Sequence, residues 1–427
     1  MTQNQQAIAV GEEKYPRYRW VMAGMLILTQ AVGILLTGGV GMLLPAMREE
    51  LGFGVAEGGL LGSLIRVPQV IFFIPASLLL VRFSPKWVYF GGLVFTAVIS
   101  FFGGRAPGFV FLAAAYCLMG ATLITRRIPD TLLRLQWIPK KEFATVMGIT
   151  MGTLAMGQSA AMMIIPFLLI AVGGWRNVFS IYSLAVLLMS IIWVVFARER
   201  TTPAYQEAMS SRAGRSPLRG VLKRKEFLML CIAMFGTPLT YMTTLLFLPT
   251  YLLEERGIAL TTAGFIVGLM PIGGVCSSFI AGFISDRIGL RRPTIWPAGL
   301  ILPFLYFGLL SPIAAWALPV FTFVIGFVAY SPFPAMRTIP FELPGIKPSE
   351  VAVGQSMIQT SMMLGMVFGA PAVGYLAESL GSLGTALRII CLFPLMMTVA
   401  GFLLPETGPK ARPKEEKQDK EGDEYGI

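Results

Sequence analysis

The stretch Gly282–Arg292 reads GFISDRIGLRR: an apolar run ends in an Asp-Arg pair, then a glycine, then two more arginines. Far upstream, Leu78–Lys86 reads LLLVRFSPK, an apolar run followed by Arg82, a Ser-Pro turn pair and Lys86. Arg82 and Arg287 stand 205 positions apart. Gly120 and Gly326, and Gly148 and Gly354, repeat at 206. Self-similarity at a period near half the chain means two like halves, the first carrying a worn copy of the device that the second keeps intact.

The composition around these stretches sets the solvent. The 427 residues are 55% hydrophobic and only 13% charged, with a mean hydropathy of +0.71. A soluble protein of this length cannot hide so much apolar surface in its cores. The apolar runs of about 20 residues therefore read as membrane spans. Twelve are expected, at roughly 20–45, 57–81, 87–104, 109–135, 143–172 and 177–197, then 227–252, 260–284, 293–311, 315–339, 351–376 and 384–404. The expected fold class is an all-α membrane protein, with twelve transmembrane helices in two pseudo-symmetric six-helix halves.

Orientation follows from lysine. With the N-terminus inside, all eleven lysines fall in cytoplasmic segments. Arginine is less clean, since Arg48, Arg105, Arg176 and Arg256 fall in outer loops. The polar N-terminus has no apolar core before a small-residue cleavage site, so the first span is expected to be retained. The organisation reads as a cytoplasmic N-terminus (1–19), a first half (20–197), a cytoplasmic linker (198–226), a second half (227–404) and a cytoplasmic tail (405–427). The tail is dense in Lys and Glu and is expected to be disordered. The net charge of +11 lies mostly between spans, which fits membrane topology rather than nucleic acid binding. The cysteines Cys117, Cys231, Cys276 and Cys391 all sit in apolar runs, against disulfides or a zinc site. The sequence has no histidine, and so lacks the usual near-neutral proton acceptor. It has neither a phosphate-binding Gly-rich loop nor room for an ATP-binding domain, so an enzyme or an ATP-driven pump is not expected.

The order of motifs resembles the major facilitator superfamily of secondary transporters, over about residues 15 to 407. GFISDRIGLRR is similar to that family's signature between spans eight and nine. WIPKKEFATVMGI (Trp137–Ile149) resembles its connection between spans four and five, GWRNVF (Gly174–Phe179) its entry into span six, and PETG (Pro405–Gly408) its exit from span twelve. The first half departs from the pattern: Val81 and Ser84 stand where the family has a carboxylate and a glycine. The Gly-Pro pattern linked to antiporters is missing from span five. The resemblance implies two halves rocking about a central site near the midplane. It also implies a gating latch at Arg82, Asp286, Arg287 and Arg291. Asp286, at a helix end, is expected to accept from Arg287, Arg291 or a neighbouring helix N-terminus. Arg337 and Glu342, at the end of span ten, are expected to join this charge network.

Charges at membrane depth cost about 2.5–3.5 kcal/mol or more each and mark function by default. Arg66 lies in span two; Arg126 and Arg127 lie in span four, about ten residues, or ~15 Å, from its end near Trp137. Adjacent arginines point ~100° apart, so one is expected to face the cavity and the other to pair within the protein. Asp130 is in helical pairing range of either, and Arg134 is expected near the interface. Pro129 is expected to unwind the helix locally and expose carbonyls. The arginines read as a site for a small carboxylate-like or inorganic anion, because a guanidinium stays charged and donates bidentate bonds. The competing reading is an internal salt-bridge network. Gln69, Tyr241, Tyr330 and Gln359 complete the expected substrate-binding set; the methionines of span eleven read as packing.

The expected function is secondary transport of a small anion by alternating access. Proton symport through Asp130 is the favoured coupling, although a carboxylate locked between arginines is a poor proton carrier. Anion exchange or uniport needs no proton site. An exporter of apolar or cationic compounds, or a carrier-like membrane sensor, are the alternatives. The expected partners are a small anionic substrate, the lipid bilayer and, with symport, protons. No nucleic acid, cofactor or metal is expected. The expected setting is a monomer in the plasma membrane with both termini cytoplasmic.

Overall fold

The computed structural model describes residues 17–80, 83–200, 221–343, 345–346, 348–408 and 410. Expectations for residues 1–16, for Arg82, for most of the linker and for most of the tail lie outside the described residues. The same holds for the Asp286 side chain.

Every regular element among the described residues is a helix. Span one is Arg19–Gly38 continued by Val40–Leu51, and span two is Val55–Leu64 continued by Val67–Leu80. Spans three to six are Pro85–Gly103, Phe109–Trp137, Lys140–Val172 and Trp175–Phe196. Spans seven to nine are Lys225–Glu254, Leu260–Ile288 and Arg292–Leu309. Span ten is Leu318–Tyr330 with Phe333–Glu342, span eleven Pro348–Leu380, and span twelve Leu383–Ile390 with Leu395–Leu403. Eleven of these twelve are long and apolar enough to cross a bilayer. Span nine falls short because Arg292, Pro293, Pro297 and Pro303 dilute its apolar residues. Bulky side chains such as Phe95, Ile170, Phe279 and Phe304 face outward from the bundle. That is the surface of a multi-pass membrane protein, whose helices satisfy their own backbone and offer hydrocarbon to lipid.

Span one divides at Gly39, and the other breaks follow proline. Pro68, Pro332 and Pro394 each lack an N–H for the preceding turn, and spans two, ten and twelve divide just before or at them. Span four behaves otherwise: it runs unbroken from Phe109 to Trp137 through Pro129. The expected unwinding beside Arg126 and Arg127 is therefore absent. Pro129 is buried, and packing against spans two and three holds the helix through the missing hydrogen bond.

The two halves pack alike. Span one lies on five as seven lies on eleven, two on four as eight on ten, and three on four as nine on ten. Three on six and one on six recur as nine on twelve and seven on twelve. The repeated glycines explain one of these contacts. A Cβ on Gly120 would collide with the carbonyl of Ile65, and a Cβ on Gly326 with that of Met270. The two receiving carbonyls are themselves 205 positions apart. The other repeated pair has no shared role: Gly354 packs on the ring of Phe227, whereas Gly148 faces open space.

The halves meet along spans two and eleven, five and eight, and one and seven. Ser63 Oγ donates to the Val367 carbonyl at 2.6 Å, and Ser159 Oγ donates to the carbonyl of Gly268. Towards the ends of spans one and seven, Arg48 pairs with Glu254 at 2.8 Å. Beside it the amide of Ala56 donates to Glu378 at 2.9 Å. These bonds join the halves on the side away from the termini.

Candidate substrate site

Span one supplies the ruler for the site. Gln30, Gly33, Thr37 and Gly41 recur at three- and four-residue spacing and so share a face. Thr37 and Gly41 line a small cavity between the halves, together with Arg66, Gln158, Met242 and Met366. Gly33 lies one turn deeper on the same stripe. The space beside it is filled by the Arg126 guanidinium, with Nη1 at 3.1 Å from where a Cβ would stand. The stem of Arg126 reaches that point past Gly92 of span three.

Arg126 is only 7% exposed. Its Nε has no hydrogen-bond partner among the described residues. The expectation that Asp130 would pair with Arg126 or Arg127 does not hold. Asp130 instead accepts two bonds from Arg134, from Nε at 2.9 Å and from Nη2 at 3.2 Å. Gln30 reaches the same carboxylate from span one. Arg134 is 1% exposed and donates a further bond to Thr150 of span five at 2.7 Å. The geometric reason is helical: Asp130 lies four residues from both Arg126 and Arg134, and long side chains lean back toward the helix N-terminus. Arg134 leans onto Asp130, whereas Arg126 leans away from it. One neutral pair thus forms, and Arg126 stands outside it.

Arg127 is exposed, with Asp130 and Arg66 as its charged neighbours, and is not among the residues lining the cavity. Arg66 sits in the break of span two. Its Nη1 donates to the Gly62 carbonyl at 2.8 Å, and its Nη2 approaches the Met242 sulfur at 3.6 Å. A thioether is a weak acceptor, so Arg66 has much donor capacity in reserve.

The other expected site residues separate. Gln69 is buried and its amide donates to the Ile65 carbonyl at 2.9 Å, turned to its own helix. Tyr241 and Tyr330 meet edge to face, centroids 5.3 Å apart, and Tyr330 stacks on Phe333 at 5.1 Å. They form an aromatic wall in the second half. Gln359 is exposed on span eleven and is not among the residues lining the cavity. Among the described residues, no group of acids or thiols is placed to hold a metal ion.

The expected latch is described only in part, since Arg82 and the Asp286 side chain lie outside the described residues. Arg287 is exposed. Arg291 is buried and is the working member: it donates to Glu342 from Nη2 at 2.7 Å and to Ser285 Oγ from Nη1 at 2.9 Å. Arg337 stays exposed, apart from Glu342, and its carbonyl accepts from Gln355. Sequence reading missed Glu406, whose carboxylate accepts from the amides of Arg291 and Arg292 at 2.6 and 3.1 Å, capping span nine. It also missed the mate of Glu406, Glu199, which accepts from Ser84 Oγ and the Lys86 amide, both at 2.6 Å, at the start of span three. Lys86 and Arg292 are 206 positions apart, and Glu199 and Glu406 are 207 apart. That spacing, just after the last span of each half, was the signal.

Two six-helix halves packed by the same pairings, with Arg66 facing a cavity between them, define the fold of a secondary carrier. Residues 26–354 match the Major Facilitator Superfamily, and the chain belongs to it. Family and relatives are transporters, not enzymes. A hexuronate transporter of Bacillus subtilis (strain 168) is 24% identical over 274 residues, covering 62% of this chain and 63% of that one. A probable nitrate/nitrite antiporter NarK1 of Thermus thermophilus is 24% identical over 61% of this chain and 60% of that one. The chain thus spans less than two thirds of the length of these relatives. Among solved structures, the nucleoside transporter NupG has the same fold, with a TM-score of 0.73 at 16% identity, over 90% of this chain and 99% of that one. So does an inward-facing bacterial homolog of the human lysosomal transporter Spinster. Its TM-score is 0.72 at 16% identity, over 91% of this chain and 95% of that one.

Proposed function

We propose that this chain carries a small anion across the plasma membrane by alternating access, held by Arg126 and Arg127 with Arg66 on the cavity wall above them. One observation carries the reading: Arg126 is a buried guanidinium without a carboxylate partner among the described residues, set on the stripe of span one that continues into the cavity. A buried charge is stable only when paired, and an anion that arrives in the cavity supplies the pair. The relatives support the sign of the cargo, since their names include hexuronate, hexose phosphate, nitrate, sulfoacetate and galactonate. Both termini are placed in the cytoplasm by the lysine distribution.

Coupling has two readings. Proton symport requires Asp130 to release and take up a proton during the cycle. Exchange of one anion for another requires no titrating group. The closed pair of Asp130 with Arg134, held from both sides by Gln30 and Thr150, favours exchange. An empty carrier then holds uncompensated charge and returns across the membrane only when loaded.

Uptake of labelled glucuronate, galactonate and nitrate into proteoliposomes tests both. Accumulation of at least one anion is expected, faster when the lumen is preloaded with unlabelled anion and indifferent to an imposed proton gradient. No uptake of any anion would defeat the cargo class. Uptake that rises with the proton gradient and ignores preloading would restore symport.

A further inference from the structure

The cavity between the halves holds a polar side chain besides its arginine. Gln158 of span five lines it together with Arg66 and Thr37. The turn of span five explains the placement. A Cβ on Gly157 would meet Ile34 of span one, and Ser159 donates to the Gly268 carbonyl of span eight. Gln158, ~100° from each, points between these two directions. Met162, one turn further on, lines the same cavity. The stem of Gln158 lies over Gly38 of span one, with Cγ at 3.2 Å from where a Cβ would stand. The bare glycine gives that stem its room.

Other glutamines of the spans are used within the protein. Gln69 donates to its own helix, Gln355 donates to the Arg337 carbonyl, and Gln30 reaches Asp130. The Gln158 amide makes no hydrogen bond to any described residue and is half-buried. Its chemistry is also unlike that of its neighbours. Arg66 only donates. Thr37 commits its proton to the Gly33 carbonyl at 3.1 Å. The thioethers of Met162, Met242 and Met366 are weak acceptors. A hydroxyl group on a cargo has a proton to give, and a buried hydroxyl without a partner is costly. Among the lining side chains, the Gln158 amide offers a strong acceptor for that proton and N–H donors for the hydroxyl oxygen.

We propose that Gln158 is a specificity residue and that the cargo is a short hydroxycarboxylate, with its carboxylate on Arg66 and a hydroxyl on the Gln158 amide. The proposal rests on the anion-carrier reading and adds the class of anion. Arg66 meets the charge, and Gln158 meets the neutral group beside it. An anion of the same length without a hydroxyl leaves the amide unpaired.

The experiment is counterflow of labelled glycerate in proteoliposomes, with unlabelled glycerate, lactate, propionate, glucuronate and nitrate as competitors. Glycerate and lactate are expected to compete about three- to tenfold better than propionate, which has as many carbons and no hydroxyl. In Gln158→Met that ratio should fall to about one while inhibition by propionate stays unchanged, a split that a merely structural role would not produce. Gln158→Asn, with the amide on a shorter stem, should keep part of the preference. It carries the test alone if Gln158→Met gives no folded protein by size-exclusion chromatography, and a full preference in Gln158→Asn would then count against the proposal. Propionate competing as well as glycerate in the wild type would overturn the role of Gln158 and leave the anion carrier standing. A preference that survives Gln158→Met would do the same. No entry of glycerate, with nitrate or glucuronate still carried, would overturn the short hydroxycarboxylate. No uptake of any anion would remove the anion carrier itself.

Discussion

Replacing Arg126 by methionine should weaken anion binding and at the same time strengthen the empty protein. The two signs come from one structural fact, a guanidinium 7% exposed whose Nε has no partner. Hydrogen bonds to charged groups contribute about 1.5–3 kcal/mol each. Losing a bidentate pair therefore costs about 3–6 kcal/mol, or a fall in affinity of roughly a hundredfold or more. In the empty protein the balance reverses. A buried ion without a counter-charge carries a desolvation penalty of several kcal/mol, and methionine of similar length fills the channel between Gly33 and Gly92 without it. The purified Arg126→Met protein should thus melt higher than wild type without substrate and show no upward shift when anion is added. Wild type should shift upward with anion. Thermal melts in detergent read both effects, and proteoliposome uptake reads the first independently. A variant that melts lower than wild type and still takes up anion at the normal rate would make Arg126 a structural strut and refute the reasoning.

Three further outcomes follow from the packing. Asp130→Asn leaves Arg134 buried and uncompensated, so the protein should lose about 3–5 kcal/mol of stability; thermal or denaturant unfolding measures it, and an unchanged midpoint would show the pair to be dispensable. Gly120→Ala and Gly326→Ala each drive a methyl into a backbone carbonyl of the facing span, and each should cost about 1–3 kcal/mol. Similar losses in folded yield by size-exclusion chromatography are expected from the two, and tolerance of either would break the proposed equivalence of the halves. Arg48→Glu should open the face away from the termini, raising labelling of a cysteine placed at Ala56 by an impermeant maleimide. The pair is partly exposed and worth only about 0–1 kcal/mol, so the change is a shift in populations that Glu254→Arg should reverse. Labelling that is equal in all three proteins would rule out a latch.

The fold was legible because membrane helices announce themselves. Apolar length gives the spans, and the Arg82/Arg287 and Gly120/Gly326 repeats give the halves. The candidate arginines were legible too, since arginine at membrane depth is conspicuous in any sequence. Its wiring was not. Asp130 has arginines four residues away in both directions, and spacing alone does not choose between them. The choice depends on how side chains lean along a helix and on Thr150 and Gln30 from other spans, which pair distances in sequence do not encode. Met242 was read past because methionine in an apolar run is nearly always packing. Glu406 and Glu199 were read past because a carboxylate after a span looks like any solvated end. Only their shared distance from the capped helices marks them.

The asymmetry of the charges carries a consequence for the transport cycle. Displaced by the repeat of 206, Arg126 and Arg127 fall on Pro332 and Phe333, and Arg66, displaced by 205, falls on Pro271. The second half thus has a bend and an aromatic ring where the first has cations. Phe333 stacks on Tyr330, which meets Tyr241, so the two walls differ in kind and not only in detail. A cargo held by the first half alone would move with it as a rigid body while the second half opens and closes over its far side. The aromatic wall then acts as a cover with no fixed charge, able to part from the anion without breaking an ion pair. Were charge shared by both walls, every opening would have to separate opposite charges in a low-dielectric cavity, a cost of several kcal/mol per pair. Placing all of it on one side leaves the binding energy constant through the rocking motion, and that is the condition for a carrier to release on one face what it takes up on the other.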